Sequence, residues 1–501
     1  MHRPLSHHWP LIAVFGAFAM AAVPRAHAQW SVDPADNLVI SDVAGSTQPK
    51  IVPTPDGGFY VGWLDGAGSG YDLRLQRLDA QGNALWAPGG ILVLDRDFSF
   101  NYDYGLAVDA GGNAWLSLNC CVQGEGDEHI AVSKVSPDGT VAWGPAGTDV
   151  SGAAEGVFNT YVTGADGNHV IVAWSSDSGV RAQKLDGDGK PQWADGGALV
   201  ADPPGLKLLG GLVADADGNA IVSWNNQPTF TTRTLMGQKL ASADGAPLWN
   251  GGSGLRIFDE GNLQAGNYPP PLSDGAGGAV FFDYDFASSG IWVARAQRVD
   301  ATGNRLFGAN GTLGSTDALH DHVGTSATFD PASGDIYLLW AETWTENMQD
   351  WQGISAQRID AAGQRAWGDA GKVVVPAANA TDGTNAVSQL LALPAPDGFI
   401  ASWVTGSNPA ADQPLRAARL DADGAFVWDG SSVTVKSSRS TGYLAGTAGS
   451  DGFLAWAWQD GEEQVSTLRA QNLGLDGTLG PVGDDDAIFV DGFDGPSPPA
   501  P

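Results

Sequence analysis

Few residues in this chain have types and spacing suited to chemistry. His320-Asp321-His322 places two imidazoles two residues apart, which in an extended segment directs both to the same side, a spacing that a zinc-type metal uses. No third ligand stands out beside them, so a solvated loop competes with a metal site. Cys120 and Cys121 are the only cysteines, and they are adjacent. In an oxidising compartment such a pair closes a vicinal disulfide that fixes the local backbone without cross-linking the fold. Asp186-Gly187-Asp188-Gly189, Asp215-Ala216-Asp217-Gly218 and Asp421-Ala422-Asp423-Gly424 invite calcium. They lack the full oxygen set with a distal bidentate acid, and plain Asp-Gly turns are the favoured reading. No cofactor is expected, calcium being the weak alternative. Signatures for zinc peptidases, phosphate-binding loops and nucleophile elbows are absent from the sequence.

Aromatic and acidic residues gather in segments of irregular length. Asp95 to Tyr104 carries Phe98, Phe100, Tyr102 and Tyr104, and Cys120 to His129 carries Glu125, Asp127 and His129. Asp259 to Tyr268 and Ala341 to Trp351 add Tyr268, Trp344 and Trp351. Rings mixed with carboxylates suit a glycan or a protein patch.

What must position these residues is a repeat. The cassette Asp-x-x-Gly-x-x-x-Trp runs from Asp79 through Gly82 to Trp86, and later copies end at Trp143, Trp193, Trp249, Phe307, Trp367 and Trp428. A degenerate copy follows at Leu475-Asp476-Gly477. The eight glycines (Gly82, Gly139, Gly189, Gly245, Gly303, Gly363, Gly424 and Gly477) recur at a period that marks a repeat architecture. Within one unit, Asp56-Gly57-Gly58 is a turn and Phe59 to Leu64 an apolar strand. Leu73 to Leu78 alternates apolar and polar, Asp79 to Gly82 turns the chain, and Leu85 to Val93 holds a last strand. Four short antiparallel strands per unit, repeated around an axis, predict an all-β fold, a single β-propeller of eight blades, with seven as the alternative. The cassette Asp caps its own turn, the Gly takes positive φ, and the Trp wedges between sheets. The last unit lacks a final strand, and Trp30 to Ile40 resembles the missing piece, so the N-terminal segment is expected to close the ring. The two constant turns of each blade lie at one end. The variable connections share the other, where binding is expected.

The run Ala356-Gln357-Arg358-Ile359-Asp360 with Gly363, Trp367 and Gly371 resembles a repeat of secreted bacterial β-propeller-like proteins of unassigned function. The resemblance implies architecture and carries no activity. Adjacent cysteines and a repeated Trp cassette also resemble features of eight-bladed periplasmic quinoprotein dehydrogenases, which hold pyrroloquinoline quinone. Their cassette has one more residue between Asp and Gly, and nothing here matches their calcium and catalytic residues.

Residues 1–28 read as a signal peptide, with Arg3, the apolar run Leu11 to Val23 and the small-x-small site Ala26-His27-Ala28. Residues 29–482 form the propeller, and 483–501 an acidic, Pro-rich tail. Without the leader the chain keeps 23 basic against 57 acidic residues, a formal charge of −34. That disfavours nucleic acid, and no stretch is long enough to insert in a membrane. The expectation is an exported protein of a Gram-negative periplasm or exterior, a monomer, acting as a binding scaffold for a glycan or protein. Two alternatives stand beside it: a quinoprotein-like oxidoreductase or other metal-assisted enzyme, and a structural envelope component.

Overall fold

The computed structural model describes residues 29–481 except 67–69, 97–102, 121–128, 153–155, 202–204, 409–410, 450–451 and 462–464. The expected leader and acidic tail lie outside the described residues. Among the described residues, regular structure is all strand apart from one 3-10 turn, Asn250–Gly252, and no helix is long and apolar enough to cross a membrane.

The strands form eight antiparallel four-stranded sheets, the blades of a β-propeller, and the seven-bladed alternative falls. Blades 1 to 8 are numbered here by their cassette glycines, from Gly82 to Gly477. In blade 1 the first strand is Ser46–Pro53, the second, Phe59–Asp65, is buried throughout, and the third is Asp72–Leu78. The fourth, Ile91–Leu94, starts later than expected. Residues 85–90 instead form the bend that carries Trp86, and Leu85 is exposed. First strands of neighbouring blades touch around the axis, except between blades 5 and 6, where the second strand of blade 5 meets the first of blade 6. The core lies between sheets: Tyr60 and Leu75 of blade 1 pack with Leu116 and Ala131 of blade 2. At the constant-turn end, apolar residues such as Leu272, Phe329 and Leu393 line a recess of about 420 Å³.

The cassette residues have the jobs expected of them. Asp360 Oδ1 accepts hydrogen bonds from the Ala362 and Gln364 amides of its own turn at 3.0 and 2.7 Å. Asp186, Asp215 and Asp421 do the same in the Asp-rich turns, which accounts for those aspartates as turn caps. All eight cassette glycines have positive φ. Each also lies against the cassette ring of the preceding blade, and a Cβ added there would stand 2.6 to 3.1 Å from that ring. Glycine is therefore required twice, by the turn and by the wedge. The buried Gln357 fixes the ring: its side-chain oxygen accepts from the Trp367 amide at 2.9 Å while its nitrogen donates to the Gly368 carbonyl at 2.8 Å. Gln183 and Gln297 hold Trp193 and Phe307 in the same way. Arg358 then ties Asp335 of its own blade to the Ala422 carbonyl of the next.

The ring closes as expected. Leu38–Ser41 pairs antiparallel with Thr467–Gly474 as the fourth strand of blade 8, with Leu38 opposite Ala470. The residues before it complete the cassette that blade 8 lacks. Trp30 is buried, lies against Gly82 of blade 1, and donates from Nε1 to the Ala80 carbonyl at 2.9 Å. The cassette tryptophans Trp86, Trp193, Trp249, Trp367 and Trp428 make the equivalent bond to the next blade. Gln471 donates to the Ser31 carbonyl, in place of the in-blade clamp.

Beside the closure, Lys436 is fully buried at the end of blade 7. Its Nζ donates to the Gln413, Arg439 and Ser440 carbonyls and to Thr441 Oγ1, and lies 3.7 Å from Asp460. Burial pushes the ammonium down to about 8, Asp460 offsetting only part of that effect.

Two outcomes follow. Trp30→Ala removes a fully enclosed wedge and costs about 3–5 kcal/mol, whereas Trp143→Ala, at a ring 38% exposed, costs less than half as much. Chemical denaturation of both variants checks this, and equal losses would contradict closure through Trp30. For Lys436 the folded state binds fewer protons than the unfolded chain between pH 8 and 10.5, so its penalty is complete below 8 and fades as pH rises. The stability difference between wild type and Lys436→Met therefore moves in favour of wild type by about 2–3 kcal/mol across that window. Denaturation at pH 7.5, 9 and 10.5 reads it directly.

Candidate functional site

The variable-loop end of blade 6 departs most from the repeat. Its second and third strands, Asp335–Glu346 and Gln349–Ile359, have 12 and 11 residues, against 7 and 7 in blade 1. The surplus forms a paired hairpin tip ending at Glu346 opposite Gln349. Asn347 and Met348 turn it with φ of 53° and 61°, the two positive values a tight hairpin requires, and Met348 is fully out in solvent. Side chains two apart on a strand share a face, so Trp340, Glu342 and Trp344 line up. Trp344 stands opposite Trp351, their rings 6.2 Å apart and within 8° of parallel.

The loop entering blade 6 brings the two histidines to this face. The first strand, Asp321–Asp330, begins beside it, with His322 directly opposite Glu342. His322 Nε2 lies 3.8 Å from Glu342 Oε1, and the ring packs edge-on against Trp340. His320 lies over Trp344, ring centres 4.1 Å apart. Its Nδ1 is 2.7 Å from Asp317 Oδ2 and 3.6 Å from Glu342 Oε1. Ser355 donates to Glu342 Oε2 at 2.9 Å, leaving Oε1 turned toward the imidazoles. His322, at 3.8 Å near enough to act on the carboxyl though too far to hydrogen-bond it, holds Glu342 below its ordinary range, with the Ser355 hydrogen bond adding to that and burial opposing it. Asp321 points elsewhere, accepting from the Trp292 amide of blade 5 at 2.9 Å. Trp292 anchors a second aromatic group with Tyr284 and Phe286, at 5.9 and 5.3 Å.

The other expected site residues fall differently. Phe98, Phe100, Tyr102, Glu125 and Asp127 lie outside the described residues. Tyr104 is not a surface ring: it is fully buried, and its hydroxyl donates to the Gln48 carbonyl. His129 is half-buried and opens a strand opposite Cys120, while Tyr268 is half-buried before blade 5. Cys120 is in a disulfide, and Cys121, the only other cysteine, lies outside the described residues. His320, His322, Trp344 and Trp351 are thus brought together. Asp317 and Glu342 join them, although the sequence did not single them out. Asp317 is three residues before His320, a signal within reach. Glu342 is placed by cross-strand register alone.

A second polar cluster spans blades 1 to 3. Lys50 Nζ is 2.8 Å from Asp103 Oδ1 and lies over the rings of Tyr104 and Tyr161. The Tyr161 hydroxyl donates to Asp103 Oδ2 at 2.6 Å. Burial and the Asp103 charge hold the Tyr161 phenol well above its ordinary range, so it stays protonated. These groups satisfy one another, and the cluster serves as a lock between blades.

No protein-family model matches the chain, and no curated protein matches it. Among solved structures, a polysaccharide lyase is similar at 10% identity, covering 87% of this chain and 91% of its own, with a TM-score of 0.43. A Penicillium chrysogenum alpha-L-arabinanase complexed with arabinobiose is similar at 12% identity, covering 88% and 99%, with a TM-score of 0.39. A Dyadobacter fermentans protein of unknown function is similar at 11% identity, covering 87% and 97%, with a TM-score of 0.38. At these values the likenesses carry no functional argument, and the eight-bladed ring rests on its own strand pairing.

The hairpin tip contributes little to stability if it serves a ligand. Trp344→Ala and Trp351→Ala are expected to cost under about 1.5 kcal/mol each, against about 3–5 for the enclosed Trp340→Ala. Urea denaturation of the three variants compares them, and equal costs would make the tip part of the core.

Proposed function

We propose that the protein is an exported binding propeller that holds a neutral glycan at the variable-loop end of blade 6. The observation carrying this reading is the parallel Trp344–Trp351 pair with His320 against it, beside the carboxylates of Asp317 and Glu342. A pyranose ring has an apolar face suited to stacking on an aromatic ring and hydroxyls suited to carboxylate acceptors. The acidic balance of the chain, 57 acidic to 25 basic residues, repels polyanions and favours an uncharged ligand. The constant turns, with their polar groups engaged in capping, serve as the frame. Export is supported by the signal-peptide pattern of residues 1–28.

Affinity electrophoresis through gels containing neutral or acidic polysaccharides, followed by calorimetry on the best ligand, tests the proposal. Wild type is expected to be retarded by at least one neutral polysaccharide and by none of the polyuronates. Trp344→Ala and Trp351→Ala should each weaken binding by about tenfold or more. Retardation that survives both substitutions, or no glycan bound at all, would remove the reading.

A further inference from the structure

We infer that Asp317, His322 and Glu342 form a binding site for a divalent transition metal of the zinc type, independent of whether the blade-6 hairpin binds a glycan. One donor atom from each of the three lies within 4.8 Å of the others. Carboxylates alone would not make the case. His322 does. It is wholly buried, and neither ring nitrogen has a hydrogen-bond partner. An imidazole carries an obligatory donor and acceptor, and leaving both unmet away from water is costly. His320 Nδ1 also completes no hydrogen bond, although it stands 2.7 Å from Asp317 Oδ2. His322 Nε2 and His320 Nδ1 thus face two carboxylates, at 3.8 and 2.7 Å, without completing a hydrogen bond to either, an arrangement that fits lone pairs meeting a cation.

The donor chemistry selects the ion. Calcium and magnesium prefer all-oxygen shells, whereas an imidazole with two carboxylates suits zinc and its neighbours. In a tetrahedral zinc site donor atoms sit roughly 3.3–3.6 Å apart, given bonds of about 2.0–2.2 Å. The 3.8 Å between His322 Nε2 and Glu342 Oε1 is close to that, and Asp317 Oδ1 is held by the Leu319 amide at 2.9 Å while its Oδ2 faces the imidazoles. Glu342 is already oriented by Ser355, the kind of supporting hydrogen bond that metal-ligating carboxylates receive. His320, stacked on Trp344, is assigned a positioning role for Asp317. The fourth position is left for water.

The test uses the mature chain, stripped with a chelator, reloaded with Zn²⁺ or Co²⁺, and passed through gel filtration before metal analysis. About one equivalent of either ion should remain, and Co²⁺ should give visible absorption of a four- or five-coordinate site. Zn²⁺ should also raise the melting temperature of wild type. His322→Ala and Glu342→Gln should lose stoichiometric binding, and His320→Ala should weaken it about 10–100-fold. Asp317→Asn keeps the side-chain oxygen that accepts from the Leu319 amide, so it keeps the test open if His322→Ala fails to fold. It should bind at least tenfold more weakly, with an unchanged melting temperature in the absence of metal. Absence of retained metal in wild type would overturn the assignment. So would equal retention by folded Asp317→Asn and wild type, or binding of Ca²⁺ in preference to Zn²⁺.

Discussion

One contact recurs at every blade boundary: an aromatic ring lying on a glycine of the next sheet. A twisted four-stranded sheet cannot bury both faces alone, and its neighbours must approach closely enough to exclude water. The glycine lets the backbone turn come in under the ring, and the ring fills the wedge-shaped gap that radial packing leaves. Because the relation always runs from one blade to the next, it is cyclic, and it holds only if the last blade also supplies a ring to the first. Trp30 is that ring. The terminal segment is therefore part of the same mechanism that joins every other pair of blades, with a hydrogen bond from indole to carbonyl in the same place.

The scaffold was legible in the sequence because its residues act locally and repeatedly. An Asp that caps its own turn, a Gly at positive φ four residues before a Trp, and a strand buried on both faces each leave a mark within ten residues. Even the atypical blade with Phe307 keeps its ring on Gly363 and its clamp through Gln297. The fourth strands were read less well. Leu85 to Val93 reads as one strand on its apolar ends, but Pro88-Gly89-Gly90 and the bend that seats Trp86 keep residues 85–90 out of the sheet. Tyr104 shows the converse error: a ring in an irregular segment looked like surface, yet its hydroxyl finds a backbone carbonyl and lets the whole side chain go under.

The site was legible only in half. His320 and His322 declared themselves by spacing, whereas Glu342 faces His322 through a strand register that no local pattern encodes. The difference between frame and site is also visible in how polar atoms are satisfied. In the constant turns, carboxylates meet amides and arginines meet carbonyls within the chain. At the far end of blade 6, two histidines and two acids converge without completing one another's hydrogen bonds.

The pairing of Leu38–Ser41 with Thr467–Gly474 has a kinetic side. The partners lie more than four hundred residues apart, so this pairing cannot form until the chain has been synthesised as far as Gly474. Earlier blades have their partners close by and can assemble in order, and Trp30 can dock on blade 1, but the Leu38–Ser41 strand must wait with its hydrogen-bonding edge unpaired. Closure is then the late, entropically slow event, and by the same reasoning its opening is the first event in losing the ring. In a protein whose disulfide chemistry is confined to two neighbouring cysteines, the lifetime of the native state against proteases is set by how rarely that single seam parts.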